Sequence, residues 1–167
     1  MPVPPALQFL ILQKLPVNFQ MCRRKYSNIL REVLPFHSVL FEYQDGIQNL
    51  PGSTGIREKM VDDSAEYLDN LAAKKNTEVG LQLELAKAYD RLGDVKGNFF
   101  TPSLGNSVAA KNFYLKALEI KQNLQLSSPE NLNYSEELAV TYDKLADAEF
   151  GNGNQTNAVE YYQKGIN

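Results

Sequence analysis

The 167-residue sequence contains no tryptophan, one cysteine and one histidine. The single thiol, Cys22, cannot form an internal disulfide, and we interpret it as a small apolar or surface residue. The single imidazole, His37, has no cysteine, carboxylate or second histidine at a spacing typical of metal ligands. No nucleophile, base and oxyanion donor stand in a recognisable catalytic pattern. The sequence therefore predicts no metal site, no cofactor and no enzymatic activity.

Long hydrophobic runs are also missing. The N-terminal apolar cluster, Leu7–Leu12, is much shorter than the roughly 20 residues that cross a bilayer, and no basic stretch precedes it as in a signal peptide. We therefore expect a cytoplasmic product with no membrane span. Residues 1–41 carry five Lys or Arg against one acid (+4), so that a net charge of −3 leaves −7 on residues 42–167. Such an acidic remainder makes nucleic-acid binding unexpected.

An internal duplication organises the rest of the chain. The sequence ELAKAYDRLGD at 84–94 recurs as ELAVTYDKLAD at 137–147, an offset of 53. A second pair of segments, Ala110–Ala117 and Ala158–Gly165, repeats small and aromatic residues at an offset of 48. Small residues at this spacing let two antiparallel helices approach closely, and a helix hairpin buries its apolar face only when a neighbour covers it. The duplication therefore predicts an all-α fold of stacked antiparallel helix hairpins.

Periodicity and punctuation by proline, glycine and capping residues predict about six helices. We divide the chain into a proline-containing N-terminal tail (1–22), a heptad-patterned helical hairpin (23–75) and two helix pairs (76–167) with a long loop at 95–106. The helices are predicted at Arg23–Leu50, Ile56 to about Lys75, Glu78 to about Asp94, Ser107 to about Leu126, Leu132 to about Asn152, and Gln155 to the terminus.

The second and third predicted helices have clear apolar faces. At the start of the second, Ser53 or Thr54 offers a hydroxyl to the free backbone amides. The face of the second helix comprises Ile56, Met60, Val61, Ser64, Leu68, Leu71 and Ala72. The inward stripe of the third helix comprises Leu81, Leu85, Ala86, Tyr89 and Leu92.

The first predicted helix carries apolar residues at alternating steps of three and four. Such a heptad seam packs either against the chain's own next helix or against a second copy of the chain. Intramolecular packing is the preferred interpretation because only about four heptads are present, and a homodimer is the alternative. The residues that form the seam in a homodimer are Tyr26, Ile29, Val33, Leu40 and Ile47.

The pattern Tyr142-x2-Leu145-Ala146-x6-Gly153-Asn154-x3-Ala158-x3-Tyr162-x2-Gly165 resembles the tetratricopeptide repeat. The resemblance implies a short superhelix whose first helices line a groove that binds a peptide segment or a partner protein. The groove residues that it implies are Lys87, Asp90, Arg91, Val140, Asp143 and Lys144. Two further candidates lie in the long loop, Phe99 and Phe100. They either insert into a neighbouring groove, which is the commoner fate of adjacent phenylalanines, or are offered to a partner.

A second resemblance rests on three segments, Leu50–Arg57, Ala65–Leu71 and Arg91–Asn98. They are similar to the C-terminal region of bacterial serine/threonine protein kinases that carry tetratricopeptide-like repeats. The chain has no Gly-rich phosphate loop, His-Arg-Asp loop or Asp-Phe-Gly motif, so no kinase residue is carried over. This resemblance implies an alternative function, a regulatory, sensor or dimerisation region detached from its kinase domain. It also implies an alternative location, an extracytoplasmic module of a membrane-anchored kinase in longer relatives.

Overall fold

The computed structural model describes residues 46–47, 49–73 and 79–166. In this part of the chain all regular structure is helical and there is no β-strand, which confirms the predicted all-α class. The five helices are α1 (Thr54–Ala72), α2 (Val79–Gly97), α3 (Ser107–Ser127), α4 (Leu132–Gly151) and α5 (Gln155–Ile166).

These helices correspond to the second to sixth predicted helices, so the described count is five and not about six. The first predicted helix lies outside the described residues except near its end, where the Leu50 N–H donates to the Ile47 carbonyl at 3.0 Å. Leu50 itself lies in a bend, and Ile47 is partly buried. Several other predictions also fall outside the described residues: the tail at 1–22 with Cys22, His37, and the dimer residues Tyr26, Ile29, Val33 and Leu40.

Consecutive helices pack side by side, α1 on α2, α2 on α3, α3 on α4 and α4 on α5. The contacts of α2 with α3 run antiparallel. Lys96 at the end of α2 meets Asn106 just before α3, whereas Asp90 earlier in α2 meets Lys121 later in α3. These two helices form the first hairpin, and α4 and α5 form the second. The first helices of the two hairpins, α2 and α4, also contact each other.

The two hairpins turn in the same way. In each, a glycine with positive φ, Gly105 (75°) or Gly153 (80°), precedes an asparagine whose backbone N–H donates to a carbonyl of the preceding helix. These bonds join Asn106 to Lys96 at 2.9 Å and Asn154 to Glu149 at 2.8 Å. Glycine adopts the left-handed conformation without the steric cost that a Cβ brings. The duplication in the sequence is therefore matched by a duplicated turn.

The predicted inward face is confirmed for α2 and corrected for α1. All five residues of the predicted α2 stripe are buried. On α1 the buried residues are Arg57, Val61, Ser64, Leu68 and Leu71, whereas Ile56 is 62% exposed and Ala72 is also exposed. Ile56 precedes Arg57 by one residue, and one residue turns a side chain by about 100° around the helix axis. Ile56 therefore lies off the stripe that faces the core.

The predicted hydroxyl cap at the start of α1 is not formed. Ser53 occupies the N-cap position with φ −73° and ψ −13° and makes no side-chain capping bond. These are helical dihedrals, whereas a capping side chain reaches the free amides from an extended backbone. Side-chain caps occur instead at two asparagines. Asn106 Oδ1 accepts from the Ala109 N–H at 2.9 Å, and Asn131 Oδ1 accepts from the Asn133 N–H at 3.2 Å.

Candidate functional site

Three of the predicted groove residues each lie on the first helix of one hairpin and contact the first helix of the other hairpin. The pairs that join α2 to α4 are Lys87–Glu137 at 3.0 Å, Asp90–Thr141 at 3.0 Å and Asp94–Lys144 at 2.6 Å. Their order is the same along both helices, so α2 and α4 lie parallel. The charged groups of Lys87, Asp90 and Lys144 are therefore already paired within the chain.

The remaining predicted groove residues, Arg91, Val140 and Asp143, are exposed on the same two helices. The structure thus separates the predicted set into three residues that join α2 to α4 and three that face solvent. Burial acts to lower the pKa of the Lys87 ammonium, but the carboxylates of Glu137 and Glu84 outweigh it, so the net shift is upward. Lys87 is consequently a protonated partner for Glu137. Peptide binding by the set as a whole stays a prediction.

A buried lysine that was not among the predicted site residues lies at the centre of these contacts. Lys121 of α3 is 1% exposed, and its ammonium donates to Asp90 Oδ2 at 2.6 Å and to Thr141 Oγ1 at 2.9 Å. It also donates to the backbone carbonyl of Glu137 at 2.9 Å and approaches a carboxylate oxygen of the same residue at 3.1 Å. One side chain of α3 therefore connects α2 to α4.

The position of Lys121 in the sequence indicates that its side chain is buried. The buried positions of α3 follow steps of three and four through Ala110, Tyr114, Ala117, Lys121 and Leu124, so the lysine occupies a place on the apolar stripe. A lysine is rarely buried unless it is paired. Its position on the stripe therefore indicates a buried partner, although the sequence does not say which one.

The pKa values of the two acids beside this lysine, Asp90 and Glu137, shift in opposite directions. Burial raises the pKa of the Asp90 carboxyl and outweighs the Lys121 ammonium, which acts to lower it. Burial also acts to raise the pKa of Glu137, but hydrogen bonds from Lys87 and Lys121 outweigh it and the net shift is downward. Glu137 thus remains ionised to lower pH than an ordinary glutamate, whereas Asp90 is protonated at higher pH than an ordinary aspartate.

A duplicated tyrosine–aspartate bond links the two helices of each hairpin. The Tyr114 hydroxyl donates to Asp94 Oδ1 at 2.9 Å, and the Tyr162 hydroxyl donates to Asp147 Oδ1 at 2.5 Å. The tyrosines are related by the offset of 48 and the aspartates by the offset of 53. Burial raises the pKa of Tyr114, and the bond to Asp147 raises the pKa of Tyr162 to about 12. Both phenols are therefore protonated donors at neutral pH.

The connection between α2 and α3 is shorter than predicted, because α2 continues to Gly97 instead of ending near Asp94. Val95 is buried and extends the apolar stripe of α2 by a further turn. A Cβ on Gly97 would lie 2.3 Å from the backbone of Asn106, so the returning loop needs glycine at this position. The loop comprises residues 98–106. Since the two repeat offsets are 53 and 48, the first copy has five additional residues in this connection.

Hydrogen bonds within the loop fix its course. Asn98 Oδ1 accepts from the backbone N–H groups of Phe100 and Thr101, at 2.8 Å and 3.1 Å. Near the other end, the Leu104 N–H donates to the Val95 carbonyl at 2.9 Å. The side-chain amide of an asparagine that bonds the backbone two residues on is a common device for ordering a turn.

Three phenylalanines form an exposed group beside this loop, which we name the Phe cluster: Phe99, Phe100 and Phe150. The ring of Phe99 meets the ring of Phe100 edge to face at 5.1 Å and that of Phe150 at 5.6 Å. Phe99, Phe100 and Phe150 are 53%, 65% and 45% exposed. Phe99 also packs on Gly151, where an added Cβ would lie 2.9 Å from the ring. The commoner fate of adjacent phenylalanines, burial, is therefore not observed, and Phe150 is a member that the sequence did not indicate.

Within residues 46–47, 49–73 and 79–166, no group of three or more His, Cys, Asp or Glu side chains is arranged to hold a metal ion. No helix in the same ranges has the length and apolar character needed to cross a membrane.

Comparisons with protein-family models, with curated proteins and with solved structures find no match to the chain. The resemblances to tetratricopeptide repeats and to kinase C-terminal regions therefore stay predictions.

Proposed function

We propose that the chain is a non-catalytic interaction scaffold whose helix hairpins stack as a short tetratricopeptide-like superhelix and bind a peptide segment or a partner protein. The antiparallel hairpins, the parallel first helices, and the duplicated turn and tyrosine bond support this proposal. Each hairpin of a helical repeat covers the apolar face of its neighbour, as α4 covers the first hairpin here.

The Phe cluster is the observation that carries the proposal. Three half-exposed aromatic rings in mutual contact form an apolar surface, and such surfaces on soluble domains are typical of protein-binding sites. Aromatic side chains also dominate the binding energy of many interfaces. The hydrogen bonds of the 98–106 loop hold Phe100 in place before a partner arrives, which reduces the entropy that is lost on binding. We therefore place the partner contact on the Phe cluster, with an apolar or aromatic segment as the ligand.

The experiment selects peptides from a random library on the immobilised protein and compares their affinity for two variants. Phe100→Ser removes the most exposed ring, and we expect an affinity loss of about tenfold or more. Leu126→Ser is the matched control, since Leu126 is 78% exposed and lies at the end of α3 that is remote from the loop. Its affinity should not change. Circular dichroism checks that both variants fold. Peptides that bind Phe100→Ser as tightly as the wild type would argue against this site.

A further inference from the structure

The second hairpin presents to solvent a surface that the first hairpin uses to hold α4. On the first hairpin, the residues that contact or lie beneath α4 include Asp90, Asp94, Tyr114 and Leu118, which we name the internal face. The two repeat offsets relate them to Asp143, Asp147, Tyr162 and Ile166, which we name the edge face.

The apolar residues of the two faces differ sharply in exposure. Tyr114 and Leu118 are 1% and 8% exposed because they pack with Leu145 of α4. Their counterparts Tyr162 and Ile166 are 37% and 85% exposed, and among the described helices only α4, the partner of α5 in its own hairpin, packs extensively on α5. Tyr162 and Ile166 therefore lack a covering helix of the kind that α4 provides for Tyr114 and Leu118.

The acidic residues show the same difference. On the internal face, Asp94 binds Lys144 at 2.6 Å, and Asp90 is 4% exposed. On the edge face, Asp143 is exposed and Asp147 is partly buried. Within the described part of the chain, no cation forms an ion pair with either of these two edge acids. The edge face is thus acidic, whereas on the internal face Asp94 is paired with Lys144 of α4 and Asp90 with Lys121 of α3.

Two positions of the edge face differ in chemistry from the internal face, where lysines hold two glutamates of α4. These internal pairs are Lys87–Glu137 and Lys111–Glu149. The corresponding residues of the edge face are Val140 and Val159, which are 47% and 54% exposed. A glutamate placed against valine loses its hydration without gaining a partner. A helix that fits the edge face therefore has apolar residues where α4 has its two glutamates.

We propose that the edge face binds an amphipathic helix of a partner polypeptide, a helix that carries a lysine for Asp147 and apolar residues in place of the two glutamates of α4. A hydroxyl residue three positions before the lysine bonds to Asp143, as Thr141 precedes Lys144 on α4. The α4 helix of a second copy is not the occupant, because α4 of each copy is already packed on its own first hairpin and carries the two glutamates.

The test uses a synthetic helix with the α4 sequence, residues 132–151, that carries Glu137→Leu and Glu149→Leu. A crosslink between the exposed positions 136 and 140 stabilises the helix, since short isolated helices are marginal in water. We expect the peptide to bind the full-length protein and to shift amide resonances of α5 and of the exposed face of α4. A further Lys144→Glu change in the peptide should weaken binding about tenfold. Asp147→Lys in the protein should restore the binding of that charge-reversed peptide.

Controls separate this surface from the Phe cluster and from self-association. A crosslinked peptide that keeps both glutamates should bind about tenfold more weakly, and Phe100→Ser in the protein should leave binding of the double-leucine peptide unchanged. Equal binding of the Lys144→Glu peptide, or resonance shifts confined to other helices, would overturn the proposal. Sedimentation of the protein alone is the last check. A dimer in which Tyr162 and Ile166 become protected would identify a second copy as the occupant and would also overturn it.

Discussion

Replacing Lys121 with methionine should destabilise the protein by about 3–5 kcal/mol. The lysine side chain is 1% exposed, and methionine is long enough to keep most of its packing while removing the charge. Asp90, 4% exposed, then keeps the hydroxyl of Thr141 but loses the cation at 2.6 Å. Glu137 still has Lys87, so most of the cost comes from the Asp90 carboxylate. A loss of this size is a large fraction of the roughly 5–15 kcal/mol that holds an ordinary domain folded.

A double-mutant cycle tests this explanation. Asp90→Leu combined with Lys121→Met removes both partners of the pair, and the double variant should lie within about 1 kcal/mol of the wild type or be more stable. The sum of the two single-variant losses in free energy of unfolding should therefore exceed the loss of the double variant by at least about 2 kcal/mol. Urea unfolding followed by far-UV circular dichroism supplies the free energies, provided that the slopes of the transitions agree.

The control is a lysine of the opposite kind. Lys59 pairs with Asp63 at 3.0 Å on the surface of α1, and its side chain is 75% exposed. Lys59→Met should change the free energy of unfolding by no more than about 0.5 kcal/mol. A Lys121→Met loss below about 1 kcal/mol, or single losses that add in the double variant, would refute the reasoning that the buried Lys121–Asp90 pair stabilises the fold as a unit.

Two further predictions concern packing and pH. Gly93→Ala puts a Cβ about 2.3 Å from the Tyr114 ring and should destabilise the protein by about 1–3 kcal/mol, whereas Gly55→Ala, in open space on α1, should stabilise it by about 0.5–1 kcal/mol. If the melting points of the two variants move in the same direction, at least one of these two predictions is wrong. Burial acts to raise the pKa of Glu149, but Lys111 and Asn154 outweigh it, so the folded pKa lies below 4.5. Its stabilisation is present above that value and is lost as the pH falls through the folded pKa. Glu149→Gln should therefore lower the melting point at about pH 7, and its difference from the wild type should shrink as the pH falls through the folded pKa of Glu149. A difference that keeps its full size in acid would count against the ion pair.

The helices of the described region were predictable because their signals are local. Each described helix boundary lies within three residues of its predicted position. Proline, glycine and asparagine between the apolar segments act on the adjacent backbone alone, so they are readable from one sequence. The duplication also predicted the hairpins, since the same small and aromatic residues recur in both. The end of α2 lies three residues beyond its predicted position, because Val95 continues the apolar stripe past Gly93 and Asp94, two residues that indicated a helix end.

The contacts of the groove residues could not be predicted in the same way. Helical periodicity places Lys87 and Asp90 on one face of α2, but it does not show which helix covers that face. The answer depends on α4, about 50 residues later, whose Glu137 and Thr141 supply the partners. For the same reason, Phe150 could not be assigned to the Phe cluster, because the loop that contacts it belongs to the other hairpin.

The two copies of the repeat show that one set of side chains can serve either as a structural contact or as a binding surface. Asp90 and Asp143 occupy equivalent places in the duplicated sequence, yet the first is buried against α4 and the second faces solvent. Residue type therefore does not separate the two roles, and the neighbouring helix does. Specific function is best sought where the copies differ. They differ in the five additional loop residues that bring Phe99 and Phe100 to the surface, and in the valines that replace two lysines on the edge face. Substitutions at these divergent positions should alter binding with little effect on stability, whereas substitutions at the shared internal positions should unfold the protein before they reveal anything about a partner.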